Sequence, residues 1–124
     1  MFYLNWNSVP AKEWPCTFFT PKEIACKGTG SLLVNEEALI ALNLLRATLE
    51  SPVSLSSAYR SPKHNKAIGG SDNSRHMAGH AFDVMLKGRT FSEVQVVAEA
   101  LGFTGFGKYE TFIHIDRGRP RSWG

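Results

Sequence analysis

The sequence is poor in cysteine, and this excludes several classes of small protein. Its 124 residues contain two cysteines, Cys16 and Cys26, which lack the Cys-x-x-Cys spacing of zinc ribbons and thioredoxin-like redox sites. A disulfide-rich scaffold is therefore excluded, and a chain of this length buries enough surface to fold without one. We expect both thiols to be reduced and packed, with a single disulfide between them as the alternative.

Long apolar runs, internal repeats and low-complexity tracts are also missing. No window of about 18 apolar residues is available to span a membrane. Residues 1–15 lack the basic region and the apolar run of a signal peptide, so we expect synthesis in the cytoplasm without a leader. No linker divides the chain, which predicts one domain over residues 1–124.

Charged residues make up only 20% of the chain, with 14 Lys+Arg against 11 Asp+Glu and a net charge of +3 at pH 7. This mild excess is compatible with cell-wall polymer or nucleic acid as a partner and selects neither. Arg117, Arg119 and Arg121 near Trp123 suggest a nucleic-acid-binding protein. A solvated tail is the simpler interpretation of this segment, and we therefore expect no nucleic-acid partner.

Helix-capping signals occur at three points in the chain. The segment Thr20–Glu23 has the capping-box pattern with proline at the first helical position, and predicts a short helix that ends at Gly28. Asn35 precedes two glutamates and begins the longest predicted helix. Thr90 begins a second amphipathic helix, which stops at Gly102.

Strand signals occupy much of the remaining sequence. Apolar–polar alternation and short apolar runs predict strands over residues 53–58, 81–86 and 112–116. Between the first two lies a long polar loop over residues 59–80, with a helical turn near 63–68; such loops are usually functional. This order of elements predicts an α+β fold around a small antiparallel sheet.

Polar residues interrupt two of these strands. His114 and Asp116 lie on one face of the last predicted strand, opposite its two isoleucines. Asp83 lies in the middle of the apolar strand before it, where a buried carboxylate costs free energy unless it is paired or bound to a metal. For any one of these residues alone, a satisfied structural role is the alternative.

His76 completes a set of metal-ligand types. It lies seven residues before Asp83. In either a helix or a strand, this spacing would hold the two side chains too far apart to bind one ion. The chain must therefore fold back between them, and Gly79 permits this. Two imidazoles and one carboxylate, with a fourth position left open, are typical of catalytic rather than structural zinc.

The complete pattern resembles the zinc D-alanyl-D-alanine peptidase family of cell-wall metallopeptidases. The resemblance rests on Ser74-x-His76-x-x-Gly79-x-Ala81-x-Asp83, on Phe112-Ile113-His114-Ile115-Asp116, and on the upstream segments 57–62 and 65–70. It extends from about Thr20 to Gly124. It implies the α+β fold that this family shares with the hedgehog signalling domain, with helices packed mainly on one face of the sheet.

The resemblance also implies roles for individual residues. Zinc would be bound by His76, Asp83 and His114. Arg60 would hold a substrate carboxylate or polarise the scissile carbonyl, tasks that suit the planar guanidinium fork. Ser74 would line the site and hydrogen-bond to substrate. The alternatives are an Arg60 exposed at the surface after a strand and a Ser74 that only caps the loop.

The sequence departs from this family at the general base. Relatives place Glu or His two or three residues before the final zinc ligand, where this chain has Phe112 and Thr111. Glu110 lies one residue farther away in a predicted turn, and we expect it to act as the base. His80 and Asp116 are the other candidates, although Asp116 is better suited to orient the imidazole of a ligand.

By this resemblance the chain is expected to be a zinc-dependent peptidase that hydrolyses peptide stems or cross-links of bacterial peptidoglycan. It would be a murein endopeptidase or carboxypeptidase, or a bacteriophage lysin. We expect a monomer that reaches the cell wall or periplasm after phage-mediated release. The alternative function is a non-catalytic zinc-binding module of the cell wall, which the missing base at Thr111 and Phe112 favours.

Overall fold

A five-stranded sheet lies at the centre of the computed structural model, which describes residues 1–124. The strands along the chain are β1 (Phe2–Tyr3), β2 (Leu32–Leu33), β3 (Leu55–Ser57), β4 (Ala81–Met85), β5 (Gly105–Lys108), β6 (Phe112–Asp116) and β7 (Arg121–Trp123). β1 and β2 pair with each other, and the other strands form one sheet in the order β3-β4-β6-β5-β7. Neighbouring strands are antiparallel except β5 and β7, which are parallel.

The predicted α+β class is confirmed, but the sheet is larger than the small antiparallel sheet expected from the sequence. β4 and β6 coincide with predicted strands to within a residue, and β3 occupies the middle of the predicted stretch 53–58. β5 and β7 are absent from the prediction. β5 contains two glycines, which weaken a strand signal, and β7 is only three residues long.

Three of the four α-helices begin where the capping residues predict, and the remaining one, Pro62–Ala67, coincides with the helical turn expected near 63–68. They are α1 (Pro21–Ile24), α2 (Glu36–Leu49), α3 (Pro62–Ala67) and α4 (Phe91–Ala100), with 3₁₀ helices over Trp6–Ser8, Ala11–Glu13 and Arg75–Ala78. Thr20 and Glu23 form the reciprocal capping box of α1, and the side chain of Asn35 accepts a hydrogen bond from the backbone of Ala38 in α2. α1 ends at Ile24, earlier than Gly28. None of the helices combines the length and the apolar character needed to cross a membrane.

The hydrophobic core lies on one face of the sheet. The alternating apolar residues of β4 and β6 are almost fully buried in one cluster with the inner faces of α2 and α4; the members from these elements include Phe82, Val84, Ile113, Ile115, Leu42, Leu45, Val94 and Ala98. The register pairs Val84 with Ile113 and Phe82 with Ile115. Because side chains alternate along a strand, the residues between them project from the opposite face.

The two cysteines are free, as expected from the sequence. Cys26 is buried with its Sγ 3.6 Å from Ser61 Oγ, and Cys16 Sγ lies 3.0 Å from Asn43 Oδ1. The fold therefore does not depend on a disulfide.

Candidate metal centre and its cavity

Three predicted ligand side chains meet on the face of the sheet opposite the core. Asp83 of β4 and His114 of β6 are direct partners in the strand register, and His76 approaches from the 3₁₀ helix Arg75–Ala78. Asp83 Oδ1 lies 3.2 Å from His76 Nε2 and 3.0 Å from His114 Nδ1. All three residues are buried, and one ligand atom from each lies within 4.8 Å of the others. This arrangement could hold one metal ion.

His76 reaches this position because the chain folds back at Gly79, as the spacing predicts. Gly79 has φ +78°, and a Cβ there would lie 2.7 Å from the carbonyl oxygen of Leu33, so this position requires glycine. The His76 ring is fixed by its Nδ1, which lies 2.7 Å from the carbonyl oxygen of Ala58. Since a carbonyl oxygen only accepts, Nδ1 carries a proton, and Nε2 on the side of Asp83 is the nitrogen that could bind a metal.

His114 is fixed from its far side by Asp116. The Nε2 of His114 lies 2.7 Å from Asp116 Oδ2, and the Asp116 carboxylate is fully buried. This carboxylate also accepts hydrogen bonds from Arg121 and from the backbone of Gly118, each at 2.9 Å. With Nε2 donating to Asp116, Nδ1 faces Asp83 as a potential metal ligand.

Hydrogen bonds keep both carboxylates ionised despite their burial. Burial raises the pKa of Asp83, but hydrogen bonds from His114 and His76 outweigh it and lower this pKa from 3.8 to about 2. Burial also raises the pKa of Asp116, but the hydrogen bonds from His114 and from the backbone of Gly118 outweigh burial and lower this pKa. Burial disfavours the imidazolium of His114, yet the carboxylates of Asp116 and Asp83 raise its pKa above 6.5.

The donor set fits a catalytic metal ion better than a structural one. Structural zinc usually has four protein ligands, whereas a catalytic site has three and keeps one position for water or substrate. Here the three candidate ligands lie at the wall of an open cavity of about 1020 Å³, which would leave a bound ion accessible to water or substrate. Two histidines and one carboxylate suit zinc and also iron(II). The geometry therefore defines a site for a divalent cation with room for substrate.

Aromatic side chains form one wall of the cavity. The Trp123 ring lies 5.0 Å from the His114 ring, and Tyr109 stacks on Phe112 with ring centroids 4.4 Å apart. The Nε1 of Trp123 donates a hydrogen bond of 2.9 Å to the hydroxyl oxygen of Tyr109. Because that oxygen already accepts from Trp123, its own proton can be donated to a group in the cavity.

Arg60 lies in the cavity, and neighbouring side chains orient it. Its Nη1 donates to Asn65 Oδ1 at 2.9 Å, and its Nη2 donates to Ser57 Oγ at 3.3 Å. A guanidinium has five N–H donors, so three remain for a ligand. The buried Asn65 also donates from Nδ2 to the carbonyl oxygen of Ser71 at 2.8 Å, and sequence reasoning assigned it no role.

Ser74 combines the two roles that the sequence left open. Its Oγ accepts a hydrogen bond of 3.3 Å from the backbone of His76 and so caps the 3₁₀ helix that carries this ligand. Ser74 also lines the cavity. A hydroxyl group can accept here and still donate its proton to a bound molecule.

The structure does not bring the expected general base to the site. Glu110 is exposed in the turn between β5 and β6 and is not among the residues that line the cavity. His80 does not line the cavity either, and its Nδ1 is buried without a hydrogen-bond partner. Asp116 lies behind His114, where it orients the ring. Glu110 as the base therefore stays a prediction without support from the geometry.

The C-terminal segment corrects one interpretation made from the sequence. Arg121 and Trp123 belong to β7 and line the cavity, whereas the sequence suggested a solvated tail. Arg121 pairs with Asp116, and Arg117 donates to the carbonyl oxygen of Leu101 at 3.2 Å. Arg117 and Arg121 therefore have partners within the protein, whereas Arg119 lines the cavity. The alternation Arg121-Ser122-Trp123 is the one local signal for this strand.

Comparison with known proteins is consistent with this geometry. Residues 17–116 match the model of a family described as Peptidase M15. The chain is 32% identical to the zinc D-Ala-D-Ala carboxypeptidase of Streptomyces albus G over 79 residues, which are 60% of this chain and 31% of that protein. It is 38% identical to MepK of Haemophilus influenzae, named a probable peptidoglycan L,D-endopeptidase, over 72 residues, 52% of this chain and 39% of that protein. The chain thus matches less than half the length of either relative.

Proposed function

Because this chain belongs to the Peptidase M15 family, we propose that it is a zinc-dependent peptidase that cleaves peptide bonds in the stems or cross-links of bacterial peptidoglycan. The observation that carries this proposal is the convergence of His76, Asp83 and His114 at the wall of an open cavity. The two relatives support the substrate class, since one is named for D-Ala-D-Ala and the other as a probable peptidoglycan endopeptidase.

In this proposal zinc is held by His76 Nε2, His114 Nδ1 and a carboxylate oxygen of Asp83. When bound, zinc supplies Lewis acidity, which polarises a peptide carbonyl and lowers the pKa of water. The chain's contribution is to hold the donor atoms in place. The carbonyl of Ala58 fixes the ring of His76, and Asp116 fixes the ring of His114.

Three other side chains would supply hydrogen bonds to substrate. Arg60 keeps three free N–H donors and is oriented by Asn65 and Ser57, so it can hold a substrate carboxylate or a developing oxyanion without first reorganising. The Tyr109 hydroxyl has a free proton and can donate to the same carbonyl oxygen or to the leaving nitrogen. Ser74 adds a third donor on the side of His76.

The substrate class indicates where the protein would act. We propose that it acts on the cell wall and that a bacteriophage lytic cycle is one route by which it reaches this polymer. We also propose that it is a monomer. Gel filtration with light scattering tests the monomer. Cleavage between a stem residue and a terminal D-residue, or across a cross-link, is distinguished by mass spectrometry of the products.

The test combines metal analysis with hydrolysis of defined substrates. Purified protein is expected to contain about one zinc per chain, to release peptides from defined muropeptides, and to lose this activity with a chelator and regain it with zinc. His114→Ala should lose the metal and the activity. His64→Ala is the matched control, because His64 lies outside the cavity, and it should keep both.

The outcomes separate enzyme from binding module. Wild-type protein that holds zinc and binds peptidoglycan without cleaving any muropeptide would favour the non-catalytic module. Full zinc retention in His114→Ala would contradict the ligand assignment. Activity that requires iron(II) in place of zinc would keep the site and change its metal.

A further inference from the structure

Three of the chain's seven arginines form neither a hydrogen bond nor an ion pair within the protein, and two of these three line the cavity. The third, Arg46, lies over the Phe18 ring. The other arginines have polar partners: Arg60 with Asn65 and Ser57, Arg89 with Ser51 and Pro52, Arg117 with Leu101 and Glu37, and Arg121 with Asp116. Arg75 and Arg119 form neither a hydrogen bond nor an ion pair and face the cavity. Two of the three guanidinium groups without a polar partner therefore lie at the site.

Arg75 is partly buried, and its side chain lies close to Gly118. It belongs to the 3₁₀ helix that carries His76, and its side chain lies against Gly118 so closely that a Cβ there would be 2.7 Å from Arg75 Nε. A side chain larger than glycine at residue 118 would displace the guanidinium. Because the guanidinium is partly removed from water, binding of an anion to it is favourable.

The cavity as a whole carries an excess of positive charge. Arg60, Arg75, Arg119 and Arg121 line it, against two carboxylates, Asp72 and the candidate ligand Asp83. Arg121 is neutralised by Asp116 and Arg60 is oriented for one substrate group. Arg75 and Arg119 are therefore in excess of what the reaction at the metal requires.

Building on the proposed function, we propose that Arg75 and Arg119 form a second anionic subsite, which binds a carboxylate of the substrate other than the group held by Arg60. The substrate class is then an acidic peptide with at least two free carboxylates near the scissile bond. A guanidinium binds a carboxylate through two parallel hydrogen bonds, which an uncharged amide at the same position cannot replace.

The test compares matched peptides that differ by one group. Synthetic stem peptides are prepared with all carboxylates free, and with the glutamate carboxylate or the diamino-acid carboxylate converted to a primary amide. We expect wild-type kcat/KM to fall about tenfold or more for one of the amides, since a charge-assisted hydrogen bond contributes a factor of this size. The double variant Arg75→Gln/Arg119→Gln should lose activity only on the free acid. It should then cleave the free acid and that amide at the same rate.

Arg117→Gln is the control. Arg117 lies in the same loop as Arg119, but it does not line the cavity. It should keep the wild-type preference for the free acid. Equal wild-type rates on the acid and both amides would overturn the subsite, as would a double variant that loses activity equally on all peptides.

Peptide binding, measured by calorimetry, distinguishes failure of this subsite from failure of the proposed function. The protein could cleave no peptide and still bind the free acid about tenfold more tightly than an amide, with the difference abolished in the double variant. That result would support the subsite and contradict the peptidase function. Cleavage without discrimination keeps the peptidase and overturns the subsite.

Discussion

At the scale of single residues, the candidate site depends on how its histidines are held. Each ring uses one nitrogen for a fixed acceptor, Ala58 or Asp116, and keeps the other for Asp83 and the metal position. The protein thereby fixes which nitrogen of each ring faces the metal position. Ligands ordered in advance lose little conformational freedom when the metal binds, which raises affinity.

Replacing Asp116 should weaken metal binding without removing a ligand. Asp116→Asn removes the charge that orients His114 and leaves Arg121 without its ion-pair partner. We expect zinc affinity to fall about 10- to 100-fold, the range found for residues that orient metal ligands. Competition with a chromophoric chelator measures this, with Asp72→Asn as the control that should bind zinc normally. Unchanged affinity in Asp116→Asn would contradict the orienting role.

The neighbouring residues Tyr109 and Glu110 give a paired test of proton transfer. Tyr109 lines the cavity and Glu110 does not. We expect Tyr109→Phe to retain zinc and lower kcat by about 10-fold or more, as removal of a transition-state hydrogen bond does. Glu110→Gln should stay close to wild type. If Glu110→Gln instead lost about 100-fold with zinc retained, the sequence-based assignment of Glu110 as the base would be correct.

At the scale of elements, the site depends on strand register. β4 and β6 are antiparallel neighbours with Asp83 opposite His114 and Ala81 opposite Asp116, so one face of this pair carries the polar groups. A shift of one residue would send these side chains into the core. The parallel edge strand β7 then brings Arg121 to Asp116 and Trp123 to His114. The site is therefore shared among three strands and one 3₁₀ helix.

Gly105 in β5 should be as important for the site as a ligand-orienting residue. It is the register partner of Asp116, and a Cβ at this position would collide with the Asp116 carboxylate. We expect Gly105→Ala to lower the free energy of unfolding by about 1–3 kcal/mol through overpacking and to weaken zinc binding. Denaturant titration and chelator competition measure the two effects.

Ser122→Ala provides the control for Gly105→Ala, because Ser122 is an exposed residue of the adjoining strand β7. It should change neither stability nor zinc affinity. If Gly105→Ala behaved like Ser122→Ala, the carboxylate would have another position available, and the close approach of β5 to Asp116 would not matter for the site.

At the scale of the whole molecule, the ionised groups of the site link stability to pH. The lowered pKa values of Asp83 and Asp116 stabilise the folded protein above pH 3.8. This contribution is lost as the pH falls through the folded-state pKa values, of which that of Asp83 is about 2. The raised pKa of His114 stabilises it below pH 6.5, and this contribution is lost as the pH rises through the folded-state pKa. The metal-free protein should therefore be most stable between these limits.

Bound zinc should oppose the loss of stability at higher pH, because the metal and the proton compete for His114. Thermal denaturation of metal-free and zinc-saturated protein between about pH 3 and pH 9 should show a gap in Tm that widens as the pH rises above 6.5. His114→Ala should lose both the alkaline decline of the metal-free form and the zinc-dependent gap. A gap of constant size across this range would contradict the coupling.

Much of this protein is determined by local sequence. The caps at Thr20, Asn35 and Thr90 begin α1, α2 and α4, and strand alternation places Asp83 and His114 on the polar face. These signals depend on neighbours within a few residues, so they can be read before the chain is folded.

Other features are decided only by tertiary structure. The pairing of β7 with β5 requires a free sheet edge, which exists only after the β5–β6 hairpin has formed. The same pairing changes Arg121 and Trp123 from an expected solvated tail into the wall of the cavity. The hairpin turn also leaves Glu110 exposed although it is close to His114 in sequence. Distance along the chain does not fix direction in space, because a turn can aim adjacent side chains at solvent or at the site.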